Sequence, residues 1–416
     1  MRKLMVLLHR WFGLGIALFL LQAGVTGALI AWDHEIDALL NPELYRSAAP
    51  ADAELLSPLR LAEIVEARDP RLEVTFLPLA VEPGHALLLG VDAKRDPATG
   101  KPYELGFDQL AVNPATGATQ GQRDWGKISL SRLQIMPFLY RLHYSLHIPD
   151  LGVLPLGLWF MGLVALVWLF DSFIALWISF PSWQAWKKSF AFRFGKGGYR
   201  LTFDLHRSGG VWTWLLIMPL ALTAVSMNLN RELVRPVVSW FSPLAESPFA
   251  SRTPTEGGVA AEIPRAQVLK HAATDALALD LGRPLGGLFY SGEFGVYGVG
   301  FYEPGNDHGD GGLGNPWLYY DAKTGASAGS ELPGRGSAGD LFMQVQFPLH
   351  SGRILGLTGR ILITLLGLVV STFSVTGVMI WAKKRRQRVL AEARDARGAG
   401  AGTQESSVIA RPEPTA

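Results

Sequence analysis

Two short phrases in this chain put a histidine and an arginine directly in front of a long apolar run. Leu8-His9-Arg10-x-x-Gly13 opens one, and Leu205-His206-Arg207-x-x-Gly210 opens the other. Two more histidines, His143 and His147, lie in "RLHYSLHIPDLG" (141 to 152), and His350 lies in "FPLHSGRILGLTGR" (347 to 360). Neutral imidazole is a good iron ligand. Structural zinc usually wants four ligands, and no cysteine or nearby carboxylate completes such a set here. Two imidazoles arriving from opposite sides instead suit the axial positions of a haem. A b-type haem needs no covalent attachment, so a chain without cysteine can hold it. Bis-histidine ligation leaves no open iron position, which favours electron transfer over oxygen chemistry. Gly13, Gly15, Gly209 and Gly210 would let a flat macrocycle approach the backbone, and Arg10 and Arg207 could meet its propionates.

These residues need elements to hold them. The 416 residues are 49% hydrophobic and 18% charged, with 13 Trp, the profile of a membrane protein with sizeable polar parts. The absence of cysteine excludes disulfides, thiolate metal sites, iron–sulfur clusters and c-type haem. Four segments are long and apolar enough to span: Trp11 to Trp32, Val153 to Phe180, Gly209 to Met227 and Ile361 to Trp381. The first resembles a signal peptide in its Met-Arg-Lys start, but its apolar run exceeds a typical h-region and no A-x-A site closes it.

Orientation follows from the basic residues. Arg2, Lys3 and Arg10 precede the first span, Lys187 to Arg207 fill the short loop after the second, and Lys383 to Arg388 follow the fourth. By the positive-inside rule all three regions, and so both termini, are cytoplasmic. The expected organisation is a transmembrane helix over 1–32, an external domain over 33–152, a helix over 153–180, a cytoplasmic loop over 181–208, a helix over 209–227, an external domain over 228–352, a helix over 353–382 and a disordered cytoplasmic tail over 383–416. In a bacterial inner membrane the external domains are periplasmic.

Each external segment reads as a small α+β domain. "IPRAQVLKHAATDAL" (263 to 277) and "LRLAEIVEARD" (59 to 69) have helical spacing, while "GVYGVGFYE" (295 to 303) and "PWLYYDAKTGAS" (316 to 327) alternate as strands. "FDQLAVNPATGAT" (107 to 119) carries the same Thr-Gly turn as the 316 to 327 stretch, Thr116 and Thr324 being 208 residues apart. His9 and His206 are offset by 197, and His143 and His350 by 207. The chain therefore reads as two copies of span, external domain and span, a parallel repeat about a pseudo-two-fold axis along the membrane normal. Such an axis would pair His9 with His206 on one face and His143 with His350 on the other. His147 shares a helix face with His143. Spacing from the Thr-Gly turns favours His143 as the equivalent of His350, with His147 a candidate one turn away for a propionate or a ligand role.

Other features have plainer readings. A polar residue at a span end often just sits in the headgroup layer, and an interfacial arginine usually contacts lipid phosphate. Four symmetry-matched histidines are harder to explain that way. "GDGGLG" (309 to 314) fits G-x-G-x-x-G but does not lead a strand into a helix, so it reads as a flexible loop with His308 solvated beside it. His34, His85 and His271 have no partner visible in the sequence. Asp171, costly in lipid, should face the bundle or the cytoplasmic interface.

"WLFDSFIALWISFP", "RLTFDLHRSGGVWTW", "FPLHSGRILGLTGRI" and "TGVMIWAKKRR" resemble the PepSY-associated transmembrane proteins, often called iron-regulated membrane proteins. The resemblance runs to about residue 388, and "YYDAKTG" is a clearer PepSY match than "AVNPATG". Members include inner-membrane reductases for ferric siderophores such as ferrioxamine and pyoverdine. The resemblance implies an α-helical membrane protein of four transmembrane helices with two PepSY-like periplasmic domains, which bears haem b, two per chain, on His9, His206, His143 and His350. It would pass electrons outward to a ferric siderophore or another Fe(III) chelate, releasing iron for uptake, because hard oxygen donors hold Fe(II) much more weakly. No nicotinamide or flavin fingerprint is present, so the donor would be a quinol or a protein. Membrane lipid is an expected partner and nucleic acid is not. Two other classes stay open: a non-redox membrane protein regulating peptidases, and a permease assisting siderophore or metal transport, which should show broken helices or several mid-membrane charges.

Overall fold

The structure is a computed structural model describing residues 1–50, 52–249 and 252–408. Chain order begins with α1 (Arg2–Ile30), the short α2 (Asp33–Leu40) and α3 (Pro42–Tyr45), and α4 (Pro58–Arg68). Four strands follow: β1 (Leu72–Pro78), β2 (Leu87–Ala93), β3 (Gln109–Val112) and β4 (Thr119–Arg123). Next come α5 (Ile135–Ser145), α6 (Leu156–Ser179), α7 (Gly198–Asn228), the short α8 (Arg235–Ser239) and α9 (Arg265–Ala278). The strands β5 (Leu285–Ser291), β6 (Val296–Phe301), β7 (Trp317–Asp321) and β8 (Ser327–Glu331) precede α10 (Ala338–His350) and α11 (Gly356–Val408).

Among the described residues four helices, α1, α6, α7 and α11, are long and apolar enough to cross a membrane. Helix α6 has 24 residues, about 36 Å at 1.5 Å per residue, against a hydrocarbon core of about 30 Å. Helices satisfy their own backbone, which lipid cannot do. Serine and threonine hydroxyls on these helices also turn inward, as Ser179 Oγ does in donating to Ala175 O at 2.7 Å. Helix α7 starts at Gly198, well before the apolar run, so His206 lies inside a helix and not at its lip. Asp204 explains the extension: it is fully buried and takes two hydrogen bonds from the Arg193 guanidinium, at 2.6 and 2.7 Å. Helix α11 likewise continues past Arg388 to Val408 where a disordered tail is expected, since alanine, glutamate and arginine are good helix formers. The last part of that expected tail, 409–416, lies outside the described residues.

The two polar segments, each read as an α+β domain, join through their strands. Their strands form one antiparallel sheet in the order β4-β3-β2-β1-β5-β6-β7-β8. The seam is the pairing of Phe76 with Phe289, Leu77 with Leu288 and Pro78 with Gly287. Joining there covers two strand edges that would otherwise be open to other chains. The core is shared as well, since Leu61 and Val65 of α4 and Val268 and Ala272 of α9 belong to one buried cluster with Leu89, Val299 and Phe301. Arg265 fastens the two halves, giving Glu66 two hydrogen bonds at 2.7 and 3.0 Å and Val74 O a third at 2.8 Å. Burial pushes the Glu66 carboxyl up, but the Arg265 guanidinium and the Val74 N–H together outweigh it, and the net shift is downward. The Thr-Gly turns close β3–β4 and β7–β8, with Gly117 at φ 65° and Gly325 at φ 71°, backbone that glycine adopts without strain.

The chain folds as two compact units. One holds Met1–Gly24, Leu166–Met218 and the chain from Leu368; the other holds Val25–Ala165 and Pro219–Gly367, including the sheet. In the first, Trp214 Nε1 donates to Ser172 O at 3.1 Å, joining α7 to α6, and Ser371 Oγ donates to Leu21 O at 3.4 Å, joining α11 to α1. In the second, buried Arg360 of α11 donates to Ala31 O at 2.8 Å and to the Glu35 carboxylate, and its guanidinium lies 4.6 Å over the Trp32 ring.

Candidate functional site

Each unit brings one of the histidine pairs expected from the sequence face to face. In the first unit His9 of α1 and His206 of α7 stand with ring centroids 6.1 Å apart. In the second, His143 on the last turn of α5 and His350 at the end of α10 stand 6.2 Å apart. A metal–nitrogen distance of about 2.0 Å would place the centroids of two linearly opposed imidazoles about 6.3 Å apart.

The Nδ1 atoms decide what these rings can do. His9 Nδ1 lies 3.0 Å from both carboxylate oxygens of Asp171, on α6. His206 Nδ1 lies 3.1 Å from Thr376 Oγ1, on α11. His143 Nδ1 lies 3.0 Å from Thr26 Oγ1, on α1, and His350 Nδ1 lies 3.0 Å from Thr223 Oγ1, on α7. A carboxylate can only accept, so His9 carries its proton on Nδ1. Thr376 donates its hydroxyl proton to Thr372 O at 2.7 Å, and Thr223 donates to Leu220 O at 2.9 Å. Those hydroxyls therefore accept from His206 and His350. For His9, His206 and His350 the resulting tautomer places the ring lone pair on Nε2, the arrangement that metal-bound histidines show when an oxygen partner fixes the other nitrogen.

Backbone close to the rings is glycine where it has to be. A Cβ on Gly27 would come within 2.9 Å of His143 Cε1, and one on Gly377 within 3.0 Å of His206 Cε1. Any larger residue would push those imidazoles off their bearing. A Cβ on Gly13, Gly15 or Gly210 would meet nothing within 4 Å, while one on Gly209 would meet Phe373 at 3.0 Å. Of the four glycines singled out in the sequence, three border open space and Gly209 serves helix packing.

Arg10 and Arg207 each bury an Nε that has no hydrogen-bond partner among the described residues. The Arg10 guanidinium stacks 5.3 Å from Trp11, and that of Arg207 lies 5.4 Å from Phe203 and donates to Lys188 O. Buried guanidinium donors left unpaired beside a histidine pair suit an anionic group, since an unmade bond of this kind costs about 1–3 kcal/mol. The residues present thus fit a bis-histidine haem on three counts: ring separation, tautomer and orphaned cationic donors.

His147 stands apart from this pairing. Its Nε2 donates to Phe138 O at 2.8 Å, its ring stacks on Phe138 at 4.7 Å, and its backbone is left-handed at φ 54°. It directly follows Leu146, the C-cap of α5, and its ring is engaged by Phe138. Asp171 faces the bundle as its cost in lipid requires, with 6% of its surface exposed. Thr26, Thr223, Thr376, Gly27 and Gly377 are not among the residues picked out by sequence reasoning. One signal was available, because Thr26 and Thr223 are 197 residues apart, the same offset as His9 and His206. The His308 side chain is 24% exposed and so largely buried, and the loop beside it is held by Asp310 N donating to Asn306 Oδ1 at 2.7 Å and by Arg353 donating to Asp310 at 2.7 Å. His85 lies in a bridge with Arg46, and His271 packs 6.4 Å from the Tyr320 ring.

Fold and site together define a multi-pass helical membrane protein with paired histidines inside its helices. The family described as the PepSY-associated transmembrane region matches residues 6–384, and the chain belongs to that family. No curated protein matches the chain.

Proposed function

We propose that the chain is a dihaem electron-transfer protein of a bacterial inner membrane that reduces ferric iron outside the cytoplasm, with a ferric siderophore as the most fitting substrate. The observation that carries this reading is the Nδ1 bonding of the facing histidines, each to an oxygen on another helix. Histidines serving only as interfacial side chains need no such uniform arrangement. His9 and His206 would hold one haem b, and His143 and His350 the other. A bis-histidine haem supplies reversible one-electron transfer.

The protein's own groups do the rest. Asp171, Thr376, Thr26 and Thr223 keep each Nδ1 proton in place and so keep Nε2 a ligand. Arg10 and Arg207 would offset propionate charge at the His9–His206 pair. The basic residues at Arg2, Lys3, Lys187, Lys188 and 383–388 support an orientation with both termini and the His9–His206 pair towards the cytoplasm. The sheet-bearing unit, which we read as two fused PepSY-like halves of a parallel repeat, would then present the substrate to the His143–His350 pair. The matched offsets of His9/His206 and Thr26/Thr223 support the repeat. Electrons would enter from a quinol or a protein donor.

The test is a half-reaction. Purified protein reduced with stoichiometric dithionite under argon is mixed with a ferric hydroxamate and an Fe(II) chromophore. We expect re-oxidation of the haem bands with Fe(II) appearing in step. Reduced bands that ignore the ferric complex would contradict the reductase reading.

A further inference from the structure

A second cluster of metal-ligating side chains lies in the sheet-bearing unit, separate from the two histidine pairs. Asp33 and His34 open α2, and His308 sits in the loop between β6 and β7. One ligand atom from each lies within 4.8 Å of the others. The two imidazoles stand 4.7 Å apart, edge to face. Asp307 supports both: its Oδ1 lies 3.0 Å from His308 Nδ1 and its Oδ2 lies 3.9 Å from His34 Nε2. The shorter contact makes His308 Nδ1 a donor, so its lone pair falls on Nε2, as it does for metal-bound histidines with a carboxylate behind them.

We propose that Asp33, His34 and His308 form a binding site for one divalent first-row transition metal ion. Two imidazoles and one carboxylate are the donor set of open-sided Fe(II) sites, which leave positions for other ligands. Charge favours a cation. Asp33, Asp307 and Asp310 gather here against two guanidiniums: Arg353 gives Asp310 a bond at 2.7 Å and Asp33 a longer one at 3.3 Å, while Arg360, already paired with Glu35, lies 3.9 Å from Asp310. Arg353 thereby holds Asp33 in place through one oxygen without neutralising the group as a whole.

The position of the cluster says which ion would arrive. The His308 ring stacks at 6.4 Å on Phe347, one helical turn before His350 on α10. A cation held here would sit beside the histidine pair from which, on the reductase reading, electrons leave the protein. Under that reading the ion is Fe(II), just released from its oxygen cage. The existence of the site does not depend on that reading; only the identity of the ion does.

Binding of Co(II) to the purified full-length protein tests the site, with haem content recorded for every sample. We expect wild type to bind one Co(II), and His308→Ala and the milder Asp33→Asn each to weaken it at least about tenfold, with haem content unchanged. His34 is half-exposed, so His34→Ala should fold normally and weaken Co(II) alike. Wild type that binds no Co(II), or a His34→Ala/His308→Ala double variant that binds as wild type does, would overturn the proposal. Protein that lacks haem yet loses Co(II) in these variants would keep the metal site and sink the reductase reading instead. Repeating the titration anaerobically with Fe(II) should give the same ranking of variants.

Discussion

Replacing His350 by alanine should remove one haem and leave the spectrum of the other unchanged, and His143→Ala should do the same. Either variant should bring reduction of an external ferric complex down to background. His147→Ala should keep both haems. The contrast rests on geometry, because His143 faces His350 at 6.2 Å while His147 spends its Nε2 on Phe138 O. A neighbour one turn away is the obvious substitute ligand, but its ring is stacked on Phe138 at 4.7 Å. Haem loss in His147→Ala together with retention in His143→Ala would reverse the assignment. Full haem in all three variants would remove the second pair from the account altogether.

His206→Ala and His9→Ala should remove the other haem and stop electrons entering from the cytoplasmic side. Asp171 offers a finer test of the same pair. It is the only carboxylate among the four oxygen partners of the histidines, the other three being threonine hydroxyls. A carboxylate accepting from Nδ1–H makes the imidazole a stronger donor, which stabilises the ferric state and lowers the potential. Asp171→Asn should therefore retain the haem and raise its potential by tens of millivolts, where about 59 mV is a tenfold change for one electron. The potential of the His143–His350 haem should not move. A spectroscopic redox titration resolves the two, and a fall in potential or an equal shift at both would contradict the assignment.

How much of this was legible depends on the range of each interaction. The spans and the two histidine pairs can be read from the chain because an apolar run of helical length and an offset repeated near 200 residues are one-dimensional signals. The fusion of both polar segments into one sheet is not, since it rests on β1 meeting β5 at Phe76 and Phe289, two strands with no local mark of partnership. The Nδ1 partners divide the same way. Thr26 and Thr223 keep the histidine offset, whereas Asp171 and Thr376 differ in type, and only the packing of α6 and α11 against α1 and α7 discloses their shared role. The start of α7 was hidden because Asp204 looks like a loop residue until Arg193 is placed beside it. The Asp33, His34 and His308 cluster joins residues about 274 positions apart, and its histidines look solitary in the sequence.

The pyridine haemochrome assay on purified wild-type protein tests the central claim most directly. The account predicts about two b-type haems per polypeptide, with a reduced spectrum carrying low-spin bands. Protein that is folded and membrane-embedded yet carries no haem would contradict it.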